Sequence, residues 1–189
     1  RTSVAVGPGV FIPRPETELV AEAAIRELAV RPEAERFAVD LCSGSGAIAI
    51  SLATEVPNSR ISAVELSEDA LAWTRSNVAS HADAIAAVGS RLDIVEGDAT
   101  SVAMPGEPLS RRAGTAAVVV SNPPYIPRQS VPRDPEVRDH EPSIALYGGE
   151  DGLYIVRGIL RTAAILLRPG GLLVIEHADV QGAEAGPGG

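Results

Sequence analysis

The sequence is poor in the residues that build disulfides, metal centres and membrane spans. One cysteine, Cys42, stands alone among 189 residues, so no disulfide can close within the chain and no cysteine-rich zinc site can form. The three histidines, His81, His140 and His177, are scattered without a ligand spacing such as His-Glu-x-x-His, and no metal is expected. No apolar run reaches the roughly 18 residues a membrane helix needs, and no basic start leads into an apolar segment; the expectation is a cytoplasmic protein with no membrane partner. Basic residues are outnumbered, 16 against 25 acidic ones, for a formal charge of −9. Such a surface has no general attraction for phosphate backbones, and no direct nucleic-acid partner is expected. Aromatics make up only 3%, so the core must be aliphatic.

What is present is abundant Ala, Val, Leu and Ile within a 45% apolar composition, as expected of helices packed on a parallel sheet. The length suits one full-sized domain over 1–189. A lead-in segment and helix occupy 1–30, the helix over 16–30 placing Leu19, Val20, Ala23, Ala24 and Leu28 at helical spacing. The core over 37–181 reads as strands at 37–41, 61–66, 92–96, 116–121 and 172–176, with helices at 47–54, 68–80 and 151–167. A polar loop at 105–114, an irregular proline-rich loop at 127–142 over the site, a tight turn at 168–171 and a flexible tail at 182–189 complete the reading. The fold class is α/β, a doubly wound and mostly parallel sheet. The chain starts at Arg1 without Met and ends in Gly186-Pro187-Gly188-Gly189, so a piece of something longer is expected, lacking a last strand pair beyond Gln181.

Two motifs carry chemistry. In Asp40-Leu41-Cys42-Ser43-Gly44-Ser45-Gly46 a strand turns into a helix, and Gly44 and Gly46 let the backbone approach a ligand and take positive φ. Gly44-x-Gly46-x-x-Ala49 also matches the dinucleotide fingerprint, and Glu65, followed by Leu66 at the end of the next strand, could bind ribose hydroxyls of NAD or of S-adenosylmethionine equally well. Asp40 tilts the choice: a carboxylate there would repel a pyrophosphate but favour a sulfonium, unless it is only a cap or turn carboxylate. Asp98, at the end of the third strand with Ala99 beside it, is placed to bracket an adenine or to be a solvated turn residue.

The second motif ends the apolar run Val118-Val119-Val120-Ser121 at Asn122-Pro123-Pro124-Tyr125. Neither proline can donate to a ladder, so the strand stops there, presenting an amide, two rigid carbonyls and an aromatic ring. That set suits a planar NH₂ group. The Asn122 side-chain oxygen and the Pro123 carbonyl could hold two N–H groups so that the nitrogen lone pair faces a methyl donor, with Tyr125 packed on the plane.

Asn122-Pro123-Pro124-Tyr125 resembles the signature of methyltransferases acting on amino or amide nitrogens. Together with Phe11-Ile12-Pro13-Arg14-Pro15-Glu16-Thr17-Glu18, the glycine turn, Gly148-Gly149-Glu150-Asp151-Gly152-Leu153 and Pro169-Gly170-Gly171, it resembles peptide chain release factor glutamine methyltransferases over 10–181. The resemblance implies a Rossmann-like class I methyltransferase that moves a methyl group from S-adenosylmethionine to the glutamine amide of the Gly-Gly-Gln motif in class I release factors, leaving S-adenosylhomocysteine. It implies that Cys42, Ser43, Gly44, Ser45 and Gly46 hold the methionine part, Glu65 the ribose and Ala99 the adenine region. Asn122, Pro123, Pro124 and Tyr125 would take the glutamine, with Arg14 and Thr17 closing over the cofactor. Cys42 stands where most relatives show glycine, and Ala99 where many carry a larger side chain. The family's N-terminal helical domain and final strand pair are expected to fall outside 1–189. Three alternatives remain: an adenine-N6 or guanine-N2 methyltransferase of nucleic acid, disfavoured by the acidic balance; an NAD-binding dehydrogenase, which leaves Asn122 to Tyr125 without a task; and a non-catalytic nucleoside-binding module.

Overall fold

The computed structural model describes residues 2–126 and 151–177. Five strands form one sheet: β1 Phe37–Leu41, β2 Arg60–Glu65, β3 Arg91–Glu96, β4 Ala116–Ser121 and β5 Leu167–Ile175. They lie in the order β3-β2-β1-β4-β5, and every neighbouring pair is parallel. The helices are α1 Pro15–Ala29, α2 Ala47–Glu55, α3 Glu68–Ser80, α4 Ala82–Ala87 and α5 Tyr154–Leu166. The expected loop at 127–142 and tail at 182–189 lie outside the described residues.

The central strands are buried on both faces because side chains alternate across a strand. Ala38 of β1 and Val118 and Val120 of β4 pack with Ala24 and Leu28 of α1 and Leu52 of α2. Their neighbours Val39, Leu41 and Val119 face the other way, against Ile159, Ala163 and Leu166 of α5. Apart from Phe37, the residues of both core clusters are aliphatic, as the dearth of aromatics requires.

Several boundaries differ from the sequence reading for local reasons. The buried stripe of α1 is Thr17, Ala24 and Leu28, whereas Leu19 is 68% exposed; one helix face carries residues 7 and 11 apart. The helix expected to end near Ser80 breaks at His81 and resumes as α4, which the reading missed. The turn expected at 168–171 is part of β5, whose register with β4 shifts between Ala116 and Val118. Gly170 has φ +74, and a Cβ on Gly171 would lie 3.0 and 3.1 Å from the carbonyl oxygens of Ala116 and Ala117. Glycine there lets the strand bulge while hugging its neighbour. The fifth helix begins at Tyr154 rather than 151, since Asp151 turns its carboxylate onto the Leu153 N–H at 2.9 Å.

The order of the strands reverses between β1 and β4, which makes the crevice at their carboxyl ends the switch point of the sheet. There the Ser121 hydroxyl donates to the Leu41 carbonyl at 2.6 Å, tying the ends of the two motifs together.

Candidate active site

A cavity of about 440 Å³ opens over the carboxyl ends of β1 to β4, within the range of about 300–1,000 Å³ typical of small-ligand sites. One half is formed by the glycine turn and the ends of β2 and β3. Cys42, Gly44 and Gly46 all have positive φ, at 61°, 56° and 83°, so the turn winds through the left-handed region at every second residue. Gly46 is the N-cap of α2. Backbone of this shape is held from beneath and from the side. The fully buried Asp40 accepts from the Ser43 hydroxyl at 2.7 Å and the Ala49 N–H at 3.1 Å through Oδ2, capping an otherwise open amide in the first turn of α2. Its other oxygen has no partner among the described residues. Burial therefore raises the Asp40 pKa to about 7, against the lowering effect of those two hydrogen bonds.

Glu65 clamps the turn from the side: Oε2 accepts from Gly44 N at 2.8 Å, and Oε1 from Leu66 N and Ser67 N at 2.8 and 2.9 Å. A carboxylate accepts about four hydrogen bonds, so Oε2 keeps one lone pair for a further donor. On α3, the Thr74 hydroxyl meets the Gly44 carbonyl at 2.6 Å. Asn77 donates to the Ser45 and Ala5 carbonyls at 2.9 and 2.8 Å and accepts from Ala5 N. The same helix holds the lead-in segment, with the Trp73 indole N–H on the Pro8 carbonyl at 3.1 Å. Asp98 folds back on Thr100, accepting from its N–H and hydroxyl at 2.8 Å each. Ala99 is 6% exposed and packs into the core on the α5 face.

The other half is made of side chains. Asn122 Nδ2 lies 3.0 Å from Thr17 Oγ1, the Thr17 hydroxyl 3.1 Å from Glu176 Oε2, and the Tyr125 hydroxyl 3.3 Å from Glu176 Oε1. The Glu176 backbone N–H donates to the Ser121 carbonyl at 3.0 Å, which brings the carboxylate beside the end of β4. Burial pushes the Tyr125 hydroxyl up to about 12, helped by the nearby Glu176. Burial also raises Glu176, against hydrogen bonds from Thr17, Tyr125 and Asn122 that lower it. Arg14 stacks over the Phe11 ring at 5.5 Å and lines the cavity with it.

The family model described as methyltransferase small domain matches residues 3–134. The chain belongs to that family. A release factor glutamine methyltransferase of Streptomyces coelicolor is 53% identical over 180 residues, which are 95% of this chain and 59% of that protein. A 4-amino-L-phenylalanine/4-methylamino-L-phenylalanine methyltransferase of Streptomyces pristinaespiralis is 42% identical over 179 residues, 93% of this chain and 56% of that protein. The chain thus spans less than three-fifths of either relative's length. Among solved structures, TrmN from Thermus thermophilus shares the fold with a TM-score of 0.57 at 22% identity, over 89% of this chain and 41% of that one. The sheet is the Rossmann-like sheet of class I methyltransferases.

In this methyltransferase small domain the cavity gathers most of the residues singled out from sequence. Arg14, Thr17, Cys42, Ser43, Gly44 and Ser45 line it, as do Glu65, Leu66, Asp98 and Ala99, and the whole of Asn122 to Tyr125. Asp40 and Gly46 do not: Asp40 lies wholly buried below the turn, and Gly46 supports it as a helix cap. Asp40 is thus the cap carboxylate of the alternative reading, with no surface toward the cavity. Burial and the carboxylates of Glu65 and Asp40 push the Cys42 thiol up, which disfavours the thiolate. Glu176, Thr74 and Asn77 were missed. Thr74 and Asn77 are polar residues inside an amphipathic helix and carry no local signal. Glu176 closes an apolar strand, a position where a single carboxylate is unremarkable until the fold places it beside Thr17. Among the described residues no group of three or more His, Cys, Asp or Glu could hold a metal ion, and no helix is long and apolar enough to cross a membrane.

Proposed function

We propose that the chain is the catalytic part of an S-adenosylmethionine-dependent N-methyltransferase acting on the glutamine amide of the Gly-Gly-Gln motif in class I peptide chain release factors. The observation that carries this reading is Asn122, set by Pro123 and Pro124 at the carboxyl end of β4, beside a cavity at the switch point, with its amide nitrogen engaged by Thr17. Its oxygen is left to accept from a substrate N–H. The residues present fit the cofactor. Glu65 has lone-pair capacity for a ribose hydroxyl, and the turn from Cys42 to Ser45 exposes backbone to a chain of methionine size. Asp98 and Ala99 flank the place of a base, and Leu66 gives it an apolar edge. Among the described residues, Glu65 and Asp98 set two carboxylates into the lining against the single guanidinium of Arg14, which disfavours a pyrophosphate and suits a sulfonium. Asp40 and Gly46 act through the turn rather than by contact.

S-Adenosylmethionine, when bound, supplies an electrophilic methyl group. The chain's own task is orientation: Asn122 Oδ1 and the Pro123 carbonyl accept the two N–H groups of the planar amide, and Tyr125 packs against its face. The amide nitrogen would then face the methyl group in line; on transfer the S–CH₃ bond would break to leave a neutral thioether, and the nitrogen would pass one of its two protons to solvent. Holding the reacting nitrogen in one pose is the principal catalytic device available to such a set.

A free aromatic amine is the second reading, favoured by the name of the Streptomyces pristinaespiralis relative; an aniline-type nitrogen is planar and carries the same two N–H donors. Radiolabelled S-adenosylmethionine, offered with a release factor, its Gly-Gly-Ala variant, 4-aminophenylalanine and ribosomal RNA, separates the readings. Label on the release factor that disappears in the variant supports the proposal. Label on the amino acid or on RNA instead overturns it.

A further inference from the structure

We infer that Glu176 is a positioning residue that fixes which end of the Asn122 amide faces the substrate, acting through the hydroxyl of Thr17. The inference rests on the reading of Asn122 as the group that accepts substrate N–H bonds.

An ionised carboxylate accepts only. Thr17 Oγ1 lies 3.1 Å from Glu176 Oε2, and Tyr125 Oη lies 3.3 Å from Glu176 Oε1, so each hydroxyl must turn its single proton toward Glu176. With its proton so directed, Thr17 Oγ1 has only lone pairs to offer Asn122, 3.0 Å away. The partner must then be the Asn122 NH₂ group, and Oδ1 is left to face elsewhere. A reversed amide would put oxygen against oxygen at Thr17 and bring its oxygen end toward the carboxylate, which is itself a hydrogen-bond partner of Asn122. Thr17 is only 7% exposed, so water cannot readily stand in for a missing partner, and an unmatched buried pair is costly.

The geometry that builds the relay is long-range. Thr17 lies on the buried stripe of α1 with Ala24 and Leu28, and Glu176 follows β5, its backbone pinned to Ser121. Three elements meet at one amide. An Asn amide has two nearly isosteric orientations, only one of which offers an acceptor, so a specifier is needed wherever the acceptor end matters. Glu176 supplies it as a hydrogen-bond acceptor for Thr17 and Asn122, from outside the cavity lining.

The test combines orientation and rate on this chain. With 15N-labelled asparagine, the Asn122 side-chain amide is assigned by its loss in Asn122→Asp. In the parent one of its protons should show a cross-relaxation peak to the Thr17 methyl and slow solvent exchange. Glu176→Met, of similar length and without an acceptor, and Thr17→Val should both abolish this signature while the backbone spectrum stays folded; Thr17→Ser should keep the slow exchange. In the methylation assay Glu176→Met and Thr17→Val should lower kcat by about tenfold, with cofactor affinity changed less than about twofold, and Thr17→Ser should restore kcat. An unaltered Asn122 amide in both variants overturns the inference even if no substrate is methylated. A parent that methylates none of the offered substrates, yet shows the signature, overturns the functional reading and leaves the relay standing. A fall in cofactor affinity matching the fall in rate would mean that Glu176 serves only the fold.

Discussion

The two halves of the cavity are built by different means. Around the glycine turn the wall is backbone, bent through alternating positive φ values and held by Asp40, Glu65, Thr74 and Asn77. Around Asn122 the wall is side chain, and its orientation depends on Thr17, 105 residues away in sequence, and on Glu176 beyond that. A backbone wall recognises a ligand by shape and tolerates small errors in any one contact. A side-chain wall holds one reacting group in one pose, so a single substitution can remove the chemistry while leaving binding intact. The sharpest division of the site should accordingly be between variants that lose affinity and variants that lose turnover.

The largest effect is expected at Asn122. Asn122→Ala should lower kcat by at least about 100-fold, the scale seen on removing one preorganised polar group from a reacting centre, while calorimetry finds cofactor affinity within about twofold of the parent. Equal losses in both would erase the division between the halves. Glu65→Ala is the converse case: three backbone amides lose their acceptor at once. Urea unfolding should show a loss of about 2–3 kcal/mol, and cofactor affinity should fall about tenfold or more, with the residual kcat at saturation little changed. If stability is unmoved, Glu65 does not hold the turn and the backbone account fails.

The difference between the halves also explains what was legible in the sequence. The doubly wound α/β class follows from alternation of aliphatic runs with helical spacing, and the glycine turn announces itself because positive φ favours glycine at Gly44 and Gly46; the strand order itself does not. Asn122-Pro123-Pro124-Tyr125 is visible for a similar reason: two prolines end a buried strand at one defined point. Local rules could not show that Asp40 points down into the core rather than up to the cavity, since strand parity near a turn depends on which face α2 covers. Nor could they show Glu176, whose role exists only because β5 lies beside β4 and α1 crosses above both. The break at His81 and the bulge at Gly170 are tertiary accommodations to neighbours and left no periodic trace.

Asp40 allows the backbone half to be probed by pH. Its pKa is raised from 3.8 to about 7 in the folded protein, so between those values the folded state holds a proton that the unfolded state has released. Stability therefore falls as pH rises through this window, by up to about 1.4 kcal/mol per pH unit. Asp40→Asn keeps an acceptor for Ser43 and Ala49 and cannot ionise. Its urea-unfolding free energy should be flatter than the parent's between about pH 4 and pH 7. Parallel curves would place the proton elsewhere.

The smallest effect belongs to Cys42, where the conformational and chemical readings of one side chain part company. At φ +61 it is one of two non-glycine residues with positive φ among those described, the other being Asn58. A side chain in the left-handed region costs about 1–2 kcal/mol, while glycine raises the entropy of the unfolded chain by somewhat less. Cys42→Gly should therefore leave the protein equally stable or stabilise it by up to about 1 kcal/mol. Cofactor affinity should be retained, because what this half of the site offers there is backbone. Cys42→Val, branched at Cβ and worse still at positive φ, should be destabilising by about 1 kcal/mol or more. The pair of variants separates the two explanations cleanly. If glycine weakens cofactor binding as much as valine does, the thiol itself is a ligand contact, and that half of the cavity owes part of its recognition to a side chain after all.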